Sequence, residues 1–399
     1  MKGNGSKKTM LMALLIPLTI LSLLLIFLLL RSGVGVKPSY LEAWQKDHYQ
    51  KYSDPRLQLA SHGLLAANSH NMQAWSIRLD ENDPQAFYLF VNTDRLTPEV
   101  DPYARQTLIS QGTFLEYLQQ AGEALGYPCQ ITLFPDGPLD ESRLIESMKE
   151  KAVAKIIFET KDPIQNPLYS HIFRPDTHRG PYIDQVLTSE EIKQLEATNS
   201  DHELLSIEVI QDPAQVKRLN DYAWQAAEIE AGISRIAQES IPLLRVNEYE
   251  KNRKAYGFSL DGQGMKGLPK HLLQGILSTF PSMNNEKASS DAFLKTMRQA
   301  VDHTPAYVLI RSRQNFRLEQ VFSGISYSRL ILTAHEMGMV VHPVSQILQE
   351  YTEMSQLYQE IHSEFAPSGE TIQMLVRIGK AETPAPLSMR STVDRLLIK

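Results

Sequence analysis

The chain has 399 residues, of which 42% are hydrophobic and 22% charged, a composition that is ordinary for a globular protein with a sizeable core. Its formal net charge of −6 comes without a long basic run, which argues against nucleic acid as a partner. Cys129 is the only cysteine, which excludes an internal disulfide and a cysteine-based metal cluster.

The N-terminal segment is the first distinct feature of the chain. Residues 1–9 are basic, and residues 10–30 are almost wholly apolar and long enough to cross a bilayer, which takes about 20 residues. We therefore predict a single-pass membrane anchor, while the small residues 33–35 leave cleavage as a signal peptide open. The lysines before the apolar run favour a cytoplasmic N-terminus, and the side of the folded domain stays open. Residues 31–54 mix aromatic and charged side chains and are predicted to be a linker.

The stretch 66–75 lies where a helix-compatible run gives way to an alternating, strand-like run. Asn71 and Gln73 fall at this junction, where amide side chains can hydrogen-bond a planar polar ligand and Trp75 can cover an apolar one. The alternative interpretation is that the turn only ends a helix and that Trp75 belongs to the core.

The rest of the first half, residues 55–162, alternates strands with one long helix. Residues 87–91 are a second predicted strand, which forms a hairpin with the first. Asp101 can cap the long helix that follows, and Gly126 ends it. A strand at 129–134 and the apolar segment 156–158 complete this half.

A cluster of arginine and threonine residues stands near the start of the second half, residues 163–399. Arg174, Thr177 and Arg179 precede a capping box at Thr188, which opens the next helix. Guanidinium groups match phosphate bidentately, so this loop is a candidate phosphate site. An exposed charged loop is the alternative interpretation.

The middle of the second half contains a predicted strand at 203–211 and a helix from 213 to about 240. Residues 257–282 are glycine-rich and include a short apolar helix at 268–280, so they form either a flap over a pocket or a plain surface loop. Residues 282–291 are polar and are expected to be poorly ordered.

The end of the chain repeats the pattern of the first half, with a strand at 307–310, a helix at 316–337 and a last strand at 373–379. The glycines of the two long helices stand at identical spacing, since Gly112 and Gly126 have counterparts in Gly324 and Gly338. This spacing supports an internal duplication.

The predicted fold class is therefore α+β, with two pseudo-symmetric halves that each contain a sheet flanked by helices, plus an N-terminal transmembrane helix. No metal site is expected, because His335 and His342 lack the i, i+4 spacing of a zinc-binding helix. The chain has no Gly-x-Ser-x-Gly elbow of the hydrolase type. The glycines at 262, 264 and 267 do not follow a strand–helix unit that would bind a dinucleotide.

These motifs, in this order, resemble the nitroreductase superfamily. Asn71, Gln73 and Trp75 match its flavin-contacting turn, in which this chain has Asn68 and Ala74 where the family has Ser and Pro. The wider pattern resembles the Acg-like branch, in which two nitroreductase-like halves are fused in one chain.

The second half carries the remaining matches. Thr177 and Arg179 match the family's Arg-x-Ser/Thr-x-Arg loop, whose first arginine is replaced by Pro175, with Arg174 one residue earlier. Ser345 follows the strand whose counterpart in the family passes along the flavin ring. Arg390 follows a proline-rich turn and fits the arginine that reaches the flavin phosphate.

The resemblance implies a nitroreductase-like fold and an FMN-dependent oxidoreductase that passes electrons from NAD(P)H to a small electron-poor acceptor. In such an enzyme the flavin carries the hydride, so no catalytic acid or base is expected in the sequence. The first half supplies the amide turn and the second the arginine loop, so the chain resembles a dimer fused into one monomer with a single site. The cofactor-binding residues implied are Asn71, Gln73, Trp75, Arg174, Thr177, Arg179, Ser345 and Arg390.

Two other functions stay open at this point. An FMN-binding protein that sequesters flavin without turnover would have the same motifs, with residues 257–282 closed over the ring. A membrane-tethered interaction domain that has lost flavin would also be compatible with the departures at Asn68, Ala74 and Pro175.

Overall fold

The structure is a computed structural model that describes residues 4–199 and 203–398. The elements of the first half are, in chain order, α1 (Asn4–Ser32), α2 (Pro55–Gly63), β1 (Trp75–Leu79), β2 (Ala86–Val91), α3 (Arg105–Leu125), β3 (Cys129–Leu133), α4 (Leu144–Glu150) and β4 (Ala154–Phe158).

The second half is longer and contains more helices. Its elements are α5 (Ser189–Glu196), β5 (Leu205–Ile210), α6 (Pro213–Ala231), α7 (Ser234–Ser240), β6 (Leu244–Arg245), α8 (Glu248–Lys254), β7 (Phe258–Ser259), α9 (Gly267–Thr279), α10 (Glu286–Val301), β8 (Ala306–Ser312), α11 (Arg317–Glu336), β9 (Val340–Pro343), α12 (Ser355–Phe365) and β10 (Thr371–Gly379).

The fold is α+β, with one four-stranded antiparallel sheet in each half. The first sheet has the strand order β1-β2-β4-β3 and the second has the order β5-β8-β10-β9, while β6 and β7 form a small parallel pair. In both large sheets the long helix, α3 or α11, connects the second strand of the chain to the third. The two sheets therefore share one connectivity.

The helices α3 and α11 cross at the centre of the molecule, and two glycines make the crossing possible. A Cβ atom added to Gly112 would lie 1.9 Å from the carbonyl oxygen of Val321, and one added to Gly324 would lie 1.9 Å from that of Ile109. Most residues of both helices are buried, as expected for helices enclosed between other elements. Gly112 and Gly324, one of the two glycine pairs noted in the sequence, are thus the contact point of the two halves.

Hydrophobic side chains form a core on each side of this crossing. Trp75, Phe87 and Phe114 belong to the core of the first half, which also takes Val321 from α11. The second half has two core clusters, one against each face of its sheet, because β8 and β10 are buried between helices.

Several expected elements are confirmed. The predicted hairpin is an antiparallel pair in which Trp75 lies opposite Val91. Both carboxylate oxygens of Asp101 accept backbone N–H bonds of the first turn of α3, at 3.0 Å from Gln106 N and 2.9 Å from Thr107 N. The helix ends at Gly126, which has a φ of 80°.

Two expectations about helices are wrong. The predicted helix from 213 to about 240 is two helices, because the chain breaks at Gly232 between α6 and α7. Residues 282–291 were expected to be poorly ordered, but α10 begins at Glu286 and the side chain of Asn285 accepts the N–H of Ala288 at its start. The apolar face of α10 packs against α6 and α7, which compensates for its polar sequence.

The segment expected to be a linker, residues 31–54, is packed onto the folded body. The Tyr40 hydroxyl donates to Glu248 at 2.7 Å, and the Trp44 indole N–H donates to the Ser388 carbonyl at 2.8 Å. Both rings are buried. The end of α1 is therefore held in a fixed position against the second half.

The N-terminal helix α1 is long and apolar enough, by length and composition, to cross a membrane. It is the one such helix in residues 4–199 and 203–398, and its segment Leu15–Ser32 is almost wholly exposed. A signal sequence near the N-terminus has the same properties.

Candidate functional site

A cavity of about 560 Å³ lies between the two halves. The first half contributes polar residues from the turn before β1 and from α3, which are Asn68, Ser69, His70, Gln106, Ser110 and Thr113. The second half contributes Thr177, Arg179, Glu230, Tyr327, His342, Ser345, Gln346 and Gln373, together with apolar side chains of α9 and α10. Both halves are needed to enclose the cavity.

The loop before α5 presents alternate residues to the cavity. Thr177 and Arg179 line the cavity, whereas Asp176, just before them, and His178, between them, are buried against the protein. His178 is fixed twice, since its backbone N–H donates to Val341 O at 2.8 Å and its Nε2 lies 2.9 Å from Thr383 O. The extended loop thus directs one side to the ligand space and the other to the core.

The inward side of this loop is held by a buried polar cluster. Asp176 accepts hydrogen bonds from the Tyr117 hydroxyl at 2.5 Å and from Arg390 Nη2 at 3.2 Å. Burial raises the pKa of Asp176 to about 6, while Arg390 and Tyr117 oppose that shift. Arg390 also donates to Leu65 O and to Asn71 Oδ1, both at 2.8 Å. Arg390, in the C-terminal segment, therefore connects the loop before α5 with the turn before β1.

Arg179 is the cationic group that these contacts leave free at the cavity. Among the described residues its guanidinium makes no hydrogen bond and no ion pair. The buried Tyr327 hydroxyl, which also lines the cavity, has no partner either within the described part of the chain. Burial lowers the pKa of Arg179, but an arginine keeps its proton in a protein, so the group stays a cation.

The histidines of the cavity are neutral. Burial and, to a smaller extent, the nearby Arg179 guanidinium together lower the pKa of His70 to about 4. Burial and the Arg377 guanidinium hold the pKa of His342 well below its usual range. Near neutral pH the positive charge at this end of the cavity therefore comes from Arg179.

The turn before β1 places different residues at the cavity from those expected. Asn71 and Gln73 do not line the cavity. Asn71 Nδ2 donates to Gly257 O and Met389 O, both at 3.1 Å, and Gln73 Nε2 donates to Ala255 O at 2.8 Å. Both residues have a φ of 51°, and this left-handed backbone turns their side chains toward the second half.

Three further expected residues also lie outside the cavity. Trp75 is fully buried in the core, where its ring packs on Phe114 and its indole N–H donates to Ser110 O at 2.8 Å. Arg174 is exposed and donates to His335 O at 2.8 Å. Arg390 is surrounded by protein acceptors. Of the eight residues expected from the sequence, Thr177, Arg179 and Ser345 line the cavity.

Glu230 is a cavity residue that the sequence reasoning missed. Burial raises the pKa of its carboxyl to about 7, and contacts with Gln346 and Gln349 oppose this shift. Its Oε2 atom is buried without a hydrogen-bond partner in the described part of the chain. A signal was present, since Glu230 follows Ala223 and Ala226 at helical spacing on the buried face of α6.

Arg105 also lines the cavity, and its charge is already compensated. Its guanidinium donates to Leu348 O and Gln373 O, both at 2.7 Å, and lies 3.3 Å from the Glu350 carboxylate. Arg105 therefore joins the first half to the wall that the second half provides.

Comparison with known proteins gives partial similarities. No family model matches the chain. An uncharacterized protein of Mycobacterium tuberculosis, found in two strains, is 28% identical over 123 residues. The match covers 28% of this chain and 36% of the relative, so the aligned part spans about a third of the curated relative's length.

The solved structures to which part of this chain is similar are nitroreductase-like flavoproteins. A nitroreductase with bound FMN from Desulfitobacterium hafniense is 10% identical, with a TM-score of 0.33 over 57% of this chain and 96% of its own. An FMN-dependent nitroreductase from Mycobacterium smegmatis in complex with NADPH is 14% identical, with a TM-score of 0.32 over 56% and 92%. A BluB-like flavoprotein from Clostridium difficile is 13% identical, with a TM-score of 0.33 over 58% and 98%.

Proposed function

We propose that this protein is an FMN-dependent oxidoreductase of the nitroreductase type, which passes electrons from NAD(P)H to a small electron-poor acceptor. The observation that carries the proposal is Arg179, a cation without a protein partner at the wall of a cavity between the two halves. Arg179 is half-buried, and a cation partly withdrawn from water without a counter-ion is costly, so the site is suited to an anionic group of a ligand.

The donors and acceptors of the cavity fit the parts of FMN. Thr177, Arg179 and the unpartnered hydroxyl of Tyr327 can hold the phosphate by charge-assisted hydrogen bonds. Gln106 Nε2 and Gln346 Oε1 are buried without partners in the described residues, and they complement the carbonyl and N–H groups of a flavin ring edge. The volume lies within the usual range of roughly 300–1,000 Å³ for cofactor sites.

FMN would supply the hydride chemistry, and the residues of the chain would bind and orient it. Ser345 lies at the cavity just after β9, where it can meet the ring or its ribityl chain. Glu230 can hold a proton near neutral pH at the cavity wall. The apolar side chains of α9 and α10 exclude water from the same space.

Three of the expected residues that lie outside the cavity would act on the cofactor indirectly, by positioning residues that line the cavity. Asn71 and Gln73 fasten the turn that carries Ser69 and His70, and Arg390 fastens the loop that carries Thr177 and Arg179. We propose them as positioning residues. We also propose that the shared connectivity of the two sheets reflects an internal duplication, as in the Acg-like branch, and that α1 anchors the chain in a membrane.

Replacing Arg179 tests the proposal. Arg179→Ala should lower the affinity for FMN about ten- to a hundredfold, since contacts to charged groups are worth about 1.5–3 kcal/mol. Riboflavin lacks the phosphate, so its binding should change little. Both affinities can be measured by quenching of flavin fluorescence on titration with protein.

A second arginine of the same loop provides the control. Arg174→Ala removes an exposed guanidinium that lies outside the cavity, so it should leave FMN binding unchanged. A wild-type protein that takes up no FMN would overturn the proposal. Equal losses for FMN and riboflavin in Arg179→Ala would show that Arg179 does not meet the phosphate.

A flavin-sequestering protein is the second candidate, because residues of β7, α9 and α10 cover the cavity. Anaerobic addition of NADH or NADPH to the FMN-bound protein separates the two functions. At neutral pH the flavin of an oxidoreductase should be reduced and should lose its visible absorption band. The flavin of a sequestering protein should stay oxidised and keep that band.

A further inference from the structure

Helix α9 stands between the cavity and the N-terminal helix α1. Leu273 and Leu277 line the cavity and are one turn apart on the same face of α9. Gly275 lies between them in sequence and therefore on the opposite face, because two residues rotate a helix by roughly 200°. A Cβ atom added to Gly275 would lie 2.2 Å from the carbonyl oxygen of Leu28 in α1. A single helix thus separates the ligand space from the apolar helix.

The contact lies at the C-terminal end of α1. Arg31 Nη2 donates to Ser278 O at 2.6 Å, and Ser32 Oγ lies 3.5 Å from His271 Nδ1. Leu28 is two residues before the end of the apolar run at Leu30, which is about 3 Å at the helical rise per residue. If residues 10–30 fill the hydrocarbon layer, α9 lies at the boundary between membrane and water.

A buried ionic cluster fixes α9 in this place. Lys270 Nζ lies 2.9 Å from Asp261 Oδ1 and 3.2 Å from Glu248 Oε1, and Gln274 Nε2 donates to Glu248 Oε1 at 3.0 Å. Lys251 also pairs with both carboxylates. Helix α9 is therefore held both to α8, through Glu248, and to the loop that precedes it, through Asp261.

Exposed apolar side chains mark the ends of α9. Leu268, Phe280 and Met283 have exposed fractions of 54%, 55% and 51%, and Met283 also lines the cavity. The apolar lining of the cavity, with Leu273 and Phe293, is thus continuous with the exposed apolar surface at Met283, just after the α9 helix that packs on α1. Such a surface next to a membrane-spanning helix is suited to contact with lipid.

We propose that the cavity receives its acceptor from the membrane, and that this acceptor is a quinone-like molecule: an electron-poor ring with an apolar tail. The ring would lie beside the bound FMN, and the tail would lie along Leu273, Met283 and Phe293 toward the lipid. This inference rests on the proposed function, since it names the class of acceptor for the same site.

The first experiment tests contact of α9 with lipid. In the full chain with Cys129→Ser, a fluorophore is attached to Met283→Cys and the protein is placed in lipid nanodiscs that contain doxyl-labelled lipid. The label at position 283 should be strongly quenched. Tyr103→Cys, at a residue with 58% exposure on the first half, is the control and should not be quenched. Equal quenching at both positions would overturn the proposal.

The second experiment tests the ligand class with a photoreactive azido derivative of decyl-benzoquinone in the same nanodiscs. Labelling should fall in peptides that cover 267–297, and decyl-benzoquinone should compete at a concentration more than about tenfold lower than tail-less benzoquinone, because each buried methylene favours binding. Leu273→Trp should reduce the labelling by filling the cavity. Leu268→Trp, at an exposed residue that does not line it, should not.

The outcomes separate this inference from the proposed function. Labelling that is spread over the surface, or equal competition by both quinones, in a protein that binds FMN would overturn the inference and leave the proposed function intact. Failure to bind FMN would overturn the proposed function and, with it, the redox role of the quinone site.

Discussion

Glu230 combines burial with a carboxyl group at the wall of the cavity. Its pKa is raised from 4.5 to about 7 because burial disfavours the carboxylate. Between pH 4.5 and about 7 the Glu230 carboxyl therefore holds more of its proton in the folded protein than in the unfolded chain. The free energy of unfolding therefore falls as the pH rises through this window, and the penalty is complete above about pH 7.

Glu230→Gln should remove this penalty. We expect the variant to gain stability relative to wild type as the pH rises from about 5 to 8, by up to roughly 3 kcal/mol at about 1.4 kcal/mol per pKa unit. Thermal unfolding of the full chain in detergent at several pH values measures the gain. Glu81→Gln, at an exposed carboxylate, is the control and should show little such trend. A difference between Glu230→Gln and wild type that does not depend on pH would contradict the expected burial of the charge.

The site was partly predictable at the scale of single residues. Thr177 and Arg179 could be chosen because arginine and threonine before a helix suit phosphate, and both lie at the cavity. The direction of the Asn71 and Gln73 side chains could not be predicted. Both residues have a left-handed backbone although neither is a glycine, and such a backbone leaves no periodic signal in the sequence. The chain turns their amides away and brings Ser69 and His70 to the cavity instead.

At the scale of elements, the crossing of α3 and α11 is the contact most sensitive to substitution. Gly324→Ala would place a methyl group 1.9 Å from Ile109 O and 2.9 Å from Gly112 Cα, both backbone atoms. Overpacking of this kind costs about 1–3 kcal/mol or more, which outweighs the gain of up to about 1 kcal/mol in helix propensity. We expect a lower Tm in thermal unfolding.

The matched control for this crossing is Gly232→Ala. An added Cβ at Gly232 meets nothing closer than 3.5 Å, and this residue has a right-handed backbone. Its Tm should stay within a few degrees of wild type, since surface substitutions usually change stability by less than about 0.5 kcal/mol. Equal changes in Tm for the two substitutions would show that α3 and α11 can move apart at their crossing without loss of stability.

The N-terminal helix gives a second prediction at this scale. The full chain should stay in the membrane pellet after high-salt and alkaline washing, because an apolar helix of this length is held far more strongly than a peripheral attachment. Immunoblotting of pellet and supernatant measures the distribution. A soluble product shortened by about 35 residues would instead indicate cleavage near Gly35.

Element boundaries that depend on local signals were predictable, and those that depend on tertiary contacts were not. Gly126 ends α3 through capping that the sequence shows directly, and Asp101 accepts N–H groups of the first turn, although the helix begins only at Arg105, after Ala104. The helix α10 was missed because residues 286–291 are polar, and its stability comes from Met297 and Val301 packed against the rest of the second half. Such long-range burial has no local signature.

At the scale of the whole molecule, the cavity depends on the way in which the two halves face each other. Each half has the same strand order, but their connecting loops differ. The amide turn before β1 and the arginine loop before α5 reach the cavity from opposite halves. The sequence shows these complementary motifs, whereas their meeting follows from the crossing at Gly112 and Gly324.

One folded chain should therefore bind one FMN. In the proposed site Arg179 of the second half would meet the phosphate, and residues of both halves would form the wall around the ring. Isothermal titration calorimetry of the full chain in detergent should give one equivalent of FMN per chain, and sedimentation should show that a monomer suffices for binding. Arg179→Ala should lower the affinity without changing the number of sites. Two equivalents per chain, or binding that requires two chains, would show that the fused halves do not form a single site.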